Sequence, residues 1–120
     1  MINKIFSNKK NVYFVIENDL KMENVHFFYE DFIREDDFVR KSVFVDLSKT
    51  RFIDSSGVGA LIQISEFLKQ KSSKLLIIGI NKSINTMFHL SGLNQVFTII
   101  DKEKLKSYLS EEEISLISER

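Results

Sequence analysis

The sequence has no cysteine, no proline and no tryptophan. Without cysteine, the chain cannot form disulfide bonds, thiolate metal sites or cysteine nucleophiles, and the composition fits a reducing compartment. Long apolar runs are missing as well, because no stretch approaches the roughly 18 apolar residues that a membrane helix needs. Residues 1–10 lack the apolar run of a signal peptide. We therefore expect a cytoplasmic protein that does not associate with membranes.

Neither sign of charge prevails, because Lys and Arg together number 17 and so do Asp and Glu. This balance argues against a broad electrostatic surface for nucleic acid, so no direct contact with nucleic acid is expected. The length of 120 residues is that of one domain and is sufficient to bury a core. We expect a single domain that spans residues 1–120.

The apolar pattern alternates between short strands and helices. Runs of β-branched and aromatic residues predict strands at 2–6, 12–16, 43–47, 75–80 and 96–100. Apolar residues at helical spacing predict helices around 25–33, 58–68, 84–88 and 102–109. Gly92 is predicted to close the third helix in a left-handed conformation, and Ser110 with Glu113 resembles a capping box at which the last helix restarts. The pattern predicts an α/β fold with about four helices and a mostly parallel sheet of about five strands, edged by an antiparallel N-terminal hairpin.

The segment Asp54-Ser55-Ser56-Gly57 lies where a loop enters a predicted helix. Asp and Ser are preferred there because their side-chain oxygens accept the unpaired N–H groups of the first turn. Gly57 and Gly59 lack side chains, so another surface could approach the backbone closely. A phosphate on either hydroxyl would face the positive end of the helix dipole and free N–H donors.

Four such residues alone are an ordinary helix start, and the sequence around them does not indicate an enzyme. A serine nucleophile needs a positioned base, and neither His26 nor His89 has a sequence link to this loop. The glycines at 57 and 59 do not form a dinucleotide fingerprint, and no phosphate-binding loop is present. No catalytic residue, metal or cofactor is therefore expected.

The wider pattern resembles the STAS domain family, named for sulfate transporters and anti-sigma-factor antagonists, over essentially the whole chain. The resemblance is strongest in residues 45–48 (VDLS) followed by 52–57 (FIDSSG). It extends to residues 14–20 with Asn24, to 76–79, and to Met87, Gly92, Leu93 and Phe97. The chain is most similar to the stand-alone antagonists of this family.

This resemblance implies a phosphorylation switch. The second serine of the motif, Ser56, is the expected phosphate acceptor, although the local chemistry alone would also allow Ser55. The unphosphorylated protein would bind an anti-sigma factor that is a serine kinase, phosphorylation would end binding, and a serine phosphatase would restore it. The expected docking surface consists of Asp19, Asp54, Ser55, Ser56, Gly57 and Val58. The protein is expected to be a monomer or a weak dimer.

One position departs from the family pattern, because Asn18 stands where many members have glycine. Asn is the next best residue for a left-handed backbone, so we expect the turn to persist. Two alternatives stay open. The chain could be a constitutive scaffold or a transport-associated module in which Ser56 is only a helix cap, or a nucleotide-binding module, which no sequence motif supports.

Overall fold

The structure, a computed structural model, describes residues 1–118. Its strands are β1 (Ile2–Ser7), β2 (Asn11–Ile16), β3 (Ser42–Asp46), β4 (Lys74–Ile78) and β5 (Thr98–Ile100). Its α-helices are α1 (Val25–Ile33), α2 (Ser55–Gln70), α3 (Lys82–Leu90) and α4 (Glu111–Ser118). Two 3₁₀ segments, Leu93–Gln95 and Lys102–Ser107, flank β5. The order confirms the predicted α/β fold.

The five strands form one sheet in the order β1-β2-β3-β4-β5. The first two strands are antiparallel, and the other neighbours are parallel. The predicted N-terminal hairpin edge and parallel remainder are therefore confirmed. Because β2, β3 and β4 run in the same direction, the loops that follow them emerge at one edge of the sheet, which we call the carboxyl edge.

The sheet is covered on both faces, as the uninterrupted burial of β2 indicates. On one face, helices α1, α2 and α3 pack against alternate strand residues, among them Phe14 and Val45. On the other face, Tyr13, Phe44 and Leu76 lie beneath the second 3₁₀ segment and α4. Side chains alternate between the two faces along each strand, which explains why the strands read as continuous apolar runs.

A largely buried ion pair stabilises the edge of the sheet that lies opposite the carboxyl edge. The Lys41 ammonium lies 2.6 Å from Asp36, and the Ser7 hydroxyl also donates to that carboxylate. Burial alone would raise the pKa of Asp36, but the hydrogen bonds from Lys41, Ser7 and the Phe38 amide outweigh it and hold this pKa well below its ordinary value. This edge is therefore tied by charge and hydrogen bonds.

Two strand ends lie two residues from their predicted positions, and one predicted helix has a different type. The strand predicted at 75–80 ends at Ile78, because Gly79 has a φ of +80° and turns the chain away. The strand predicted at 96–100 begins at Thr98, since the chain before it is still in the turn after the first 3₁₀ segment. The helix predicted from 102 is a 3₁₀ segment that ends at Ser107.

Two predicted helix ends are confirmed. Gly92 follows α3 with a φ of +73°, the left-handed conformation that glycine tolerates best. Ser110 and Glu113 form the predicted capping box, in which each backbone N–H donates to the other side chain at 2.8 and 3.1 Å.

Within residues 1–118, no helix combines the length and the apolar character that crossing a membrane requires.

Candidate functional site

The site lies at the carboxyl edge, where the loops after β2 and β3 are joined to each other. Leu20 and Ile53 form a parallel bridge between these loops. The Leu20 N–H donates to the Phe52 carbonyl at 3.0 Å, and the Asp54 N–H donates to the Leu20 carbonyl at 3.0 Å. Both bridging side chains are buried. The bridge carries the pairing of β2 and β3 beyond the sheet and fixes the approach to α2.

Asp54 caps α2, as the sequence predicted, and it also binds the neighbouring loop. One carboxylate oxygen accepts the Gly57 N–H at 3.0 Å, and the other accepts the Met22 N–H at 3.1 Å. The hydrogen bond from Gly57 lowers the pKa of Asp54, with further contributions from the amides of Met22 and Ser56 and the charge of Lys21. Asp54 is therefore ionised at neutral pH, and it holds two loops with one carboxylate.

The two serines are the first residues of α2. Ser55 is exposed and Ser56 is half-buried, so both hydroxyls are at or near the surface. The N–H donors expected around them are partly occupied. The Asp54 carboxylate interacts with the amides of Ser56 and Gly57, and the Asp54 backbone carbonyl accepts the Val58 N–H at 3.0 Å in an ordinary helical bond. A phosphate at this helix start would therefore meet a carboxylate that already takes two of the amides which usually hold anions.

Gly57 serves internal packing instead of an open approach by a partner. A Cβ atom at this position would lie 2.5 Å from the Leu20 carbonyl oxygen and 2.7 Å from Ile53 Cγ2. Glycine is therefore required so that α2 can start directly against the loop after β2. Gly59 is different, because a Cβ atom there would meet nothing within 4 Å. Val58 is half-buried and packs on the core beside the serines.

Asp19 is brought to the same edge, but its side chain is engaged within the protein. One of its carboxylate oxygens accepts the N–H groups of Arg51 and Phe52 at 2.9 and 3.2 Å. Its backbone carbonyl accepts from the Asn24 side chain at 2.7 Å. Asp19, which the sequence predicts as part of the docking surface, therefore positions the loop that precedes Asp54.

The turn after β2 does not use the left-handed conformation expected at Asn18. Within the part of the chain that the structure describes, only Phe38, Arg40 and Ser72 among non-glycine residues have positive φ. The turn is instead held by the buried Thr50, whose hydroxyl lies 3.1 Å from the Asn18 carbonyl oxygen. A side chain from the neighbouring loop thus helps to hold the turn at Asn18.

Two exposed apolar residues at this edge, Met22 and Phe52, were not predicted as site residues from the sequence. Met22 is 73% exposed and Phe52 is 53% exposed. Alternation with the buried Ile53 would have indicated that Phe52 faces solvent, but no sequence signal placed Met22 next to Asp54.

The histidines interact within their own helices: His26 lies 3.5 Å from Glu30, and His89 Nδ1 lies 2.9 Å from the Asn85 carbonyl oxygen.

Residues 5–107 match the sequence model of one family, which is described as the STAS domain. An anti-sigma-B factor antagonist of Listeria monocytogenes is 27% identical over 59 residues, which are 49% of this chain and 52% of the relative. The chain thus spans about half the length of the curated relatives it matches.

Solved structures share the fold. A Thermotoga maritima protein described as a candidate anti-sigma factor antagonist superposes with a TM-score of 0.77 at 20% identity, covering 88% of this chain and 92% of that one. The anti-sigma factor antagonist SpoIIAA in its unphosphorylated form gives 0.62 at 14% identity, over 95% and 94%. The phosphorylated form of SpoIIAA from Bacillus gives 0.63 at 16% identity, over the whole of both chains. At such identities the likeness concerns the fold.

Proposed function

The chain belongs to the STAS domain family, and from this premise we propose that it is an anti-sigma factor antagonist. In this proposal it is a binding module and not an enzyme. It docks on an anti-sigma factor serine kinase while Ser56 is unmodified, and it leaves that partner once Ser56 is phosphorylated. A serine phosphatase then restores binding. The protein acts in the cytoplasm, as a monomer or a weak dimer.

The observation that carries the proposal is the start of α2. Its two serines lie at or near the surface on a backbone that Asp54 and the Leu20–Ile53 bridge hold from both sides. A kinase can reach such a hydroxyl without unfolding the domain. The names of the relatives support the partner class, since the Listeria monocytogenes protein is an anti-sigma-B factor antagonist.

The occupied amides suggest how phosphorylation ends binding. A phosphoserine carries about −1.5 to −2 charges at neutral pH. Because the Asp54 carboxylate already takes the Ser56 and Gly57 amides, the helix start neutralises this charge only in part. The added charge stays at the surface next to an ionised carboxylate. Docking would then require the desolvation of two neighbouring anions, which strongly disfavours the complex.

Of the two hydroxyls, Ser56 is the proposed acceptor and Ser55 the alternative. The family pattern favours Ser56, whereas exposure favours Ser55. The decisive experiment is incubation of the purified chain with ATP, Mg²⁺ and the anti-sigma factor kinases of its own organism, followed by mass spectrometry of the phosphorylated site. We expect one phosphate on Ser56.

A matched control is available in α3. Ser83 is the second residue of that helix, as Ser56 is of α2, and it is also close to the surface. Ser56→Asp should weaken kinase binding by at least about 100-fold through like-charge repulsion and desolvation. Ser83→Asp and Ser56→Ala should leave the dissociation constant within about twofold of wild type, a free-energy change below about 0.5 kcal/mol. Absence of phosphate from both motif serines with every kinase would favour the constitutive scaffold instead.

A further inference from the structure

The first observation concerns the outward side of the two bridged loops. Residues in an extended segment point alternately to opposite sides. Since Ile53 points into the core, the side chains of Phe52 and Asp54 point away from it. Phe52 is accordingly 53% exposed, immediately beside the charged cap of α2. A large aromatic side chain is thus displayed at the approach to the two serines.

The second observation concerns Met22, the more exposed of the two side chains at 73%. Its N–H lies 3.1 Å from one oxygen of Asp54, whose other oxygen accepts the Gly57 N–H. The backbone N–H of Met22 and the first turn of α2 are therefore hydrogen-bonded to the two oxygens of one carboxylate. The backbone of Met22 is held in place, while its flexible side chain remains free to fit a partner.

Any kinase that takes the Ser56 hydroxyl into its active site must cover this surface. A stable protein interface buries about 800 Å² per partner, which is a disc of about 16 Å radius. Phe52 precedes Ser56 by four residues, so their Cα atoms are at most about 14 Å apart even in an extended chain. Met22 lies close to the same helix start, because its N–H and the Gly57 N–H bind the two oxygens of the Asp54 carboxylate. Both side chains therefore lie within the footprint.

We propose that Met22 and Phe52 are the apolar anchors by which the anti-sigma factor kinase recognises this chain. This inference rests on the proposed function, because it names the partner's contact residues at the same site. Aromatic and methionine side chains are enriched at the centres of interfaces, where a few residues supply most of the affinity. The partner surface that fits them is an apolar recess beside the kinase active site. Water stays excluded from this recess only while Ser56 is uncharged.

The test measures affinity and turnover separately with the purified kinase that phosphorylates the wild-type chain. Met22→Gln and Phe52→Thr keep a side chain of suitable length or β-propensity but remove the apolar surface. Each should raise the dissociation constant and the KM about tenfold or more and leave kcat for Ser56 phosphorylation nearly unchanged. Met22→Leu should restore binding to within about threefold of wild type, since the apolar volume is kept.

Leu90→Gln is the control for loss of exposed apolar surface as such. Leu90 is 85% exposed at the last position of α3, about 12 Å along that helix from its first residue. This variant should bind like wild type. Wild-type affinity in both Met22→Gln and Phe52→Thr, with Ser56 still phosphorylated, would overturn the anchor proposal and leave the proposed function standing. A wild-type chain that no anti-sigma factor kinase binds or phosphorylates would overturn both.

Discussion

Helices α2 and α3 both start at the carboxyl edge, and their first turns are built alike. Each follows an Asx residue with an extended backbone, whose side-chain oxygen accepts the third N–H of the helix. In α2 the bond joins Asp54 and Gly57 at 3.0 Å, and in α3 it joins Asn81 and Ile84 at 2.8 Å. A serine is the second residue of each helix. Capping geometry is therefore shared, and by itself it cannot distinguish a modification site from an ordinary helix start.

The two starts differ in their charge and in their neighbours. The α2 cap is a carboxylate that also binds the Met22 amide, whereas the α3 cap is a neutral amide that donates to the Arg51 carbonyl at 3.0 Å. The third position of α3 holds a buried Ile84, but in α2 it must be Gly57. The difference lies in the loops that pack against α2. The proposed role in partner binding depends on these loops and not on the cap alone.

The largest expected effect on stability concerns the close packing of α2 against the loop after β2. Gly57→Ala would place a methyl group 2.5 Å from the backbone oxygen of Leu20, which a change of rotamer cannot relieve. We expect a loss of about 1–3 kcal/mol in the free energy of unfolding. Urea denaturation monitored by circular dichroism gives this value.

The control is a second glycine in the same helix. Gly59→Ala meets nothing within 4 Å and replaces glycine inside a helix. It should stabilise the protein by about 0.5–1 kcal/mol. If both variants gained stability, the contact between Gly57 and Leu20 would not be the constraint that defines this helix start.

A smaller effect separates the two caps by their response to added charge. A carboxylate in the first turn stabilises a helix by about 0.3–1 kcal/mol through the helix dipole. Ser83→Glu should show that gain, since Asn81 is neutral and Lys82 is adjacent. Ser56→Glu should show no gain or a loss, because Asp54 already occupies the amides. Denaturation at low and high salt measures both. Equal stabilisation at the two sites would contradict the proposal that the α2 start leaves a phosphate charge largely uncompensated and so ends partner binding.

The contrast between the helix starts also shows what sequence can predict here. The cap at Asp54, the capping box at Ser110 and the left-handed Gly92 depend on residues within a few positions of each other. Local preferences therefore sufficed to predict them. The roles of Gly57 and of the second Asp54 oxygen depend on Leu20 and Met22, more than 30 residues earlier in the chain.

The predicted element order and mostly parallel sheet likewise followed from alternating strands and helices, but the strand ends did not. The fourth strand stops at Ile78 because Gly79 turns beside Asp46, whose carboxylate oxygen would lie 2.9 Å from a Cβ atom there. That contact joins two parallel strands and leaves no trace in the local pattern. The segment of the proposed site could be predicted from the sequence, while the exposure of Met22 required the fold.

The smallest expected effect concerns the charge of the α2 cap. Asp54→Asn replaces the carboxylate with a neutral amide, the group that caps α3. The amide oxygen of Asn can still accept the Gly57 N–H, but the NH2 group at the other position would then face the Met22 N–H, which is also a donor. Because the pKa of Asp54 is lowered from 3.8 in the folded state, its ionised form favours folding. This contribution is complete above the ordinary pKa and is lost as the pH falls through the lowered one.

The wild type should therefore be more stable than Asp54→Asn at pH 7, and its advantage should shrink once the pH falls below 3.8. Urea denaturation of both proteins from neutral to acidic pH measures the difference. Asp36 and Glu113 also have lowered pKa values, but both proteins contain them, so their effects cancel when the two curves are subtracted. A difference that stayed constant down to the acid limit of folding would mean that the charge of Asp54 does not stabilise this helix start. The distinction between α2 and α3 would then rest on the contacts of Gly57 alone.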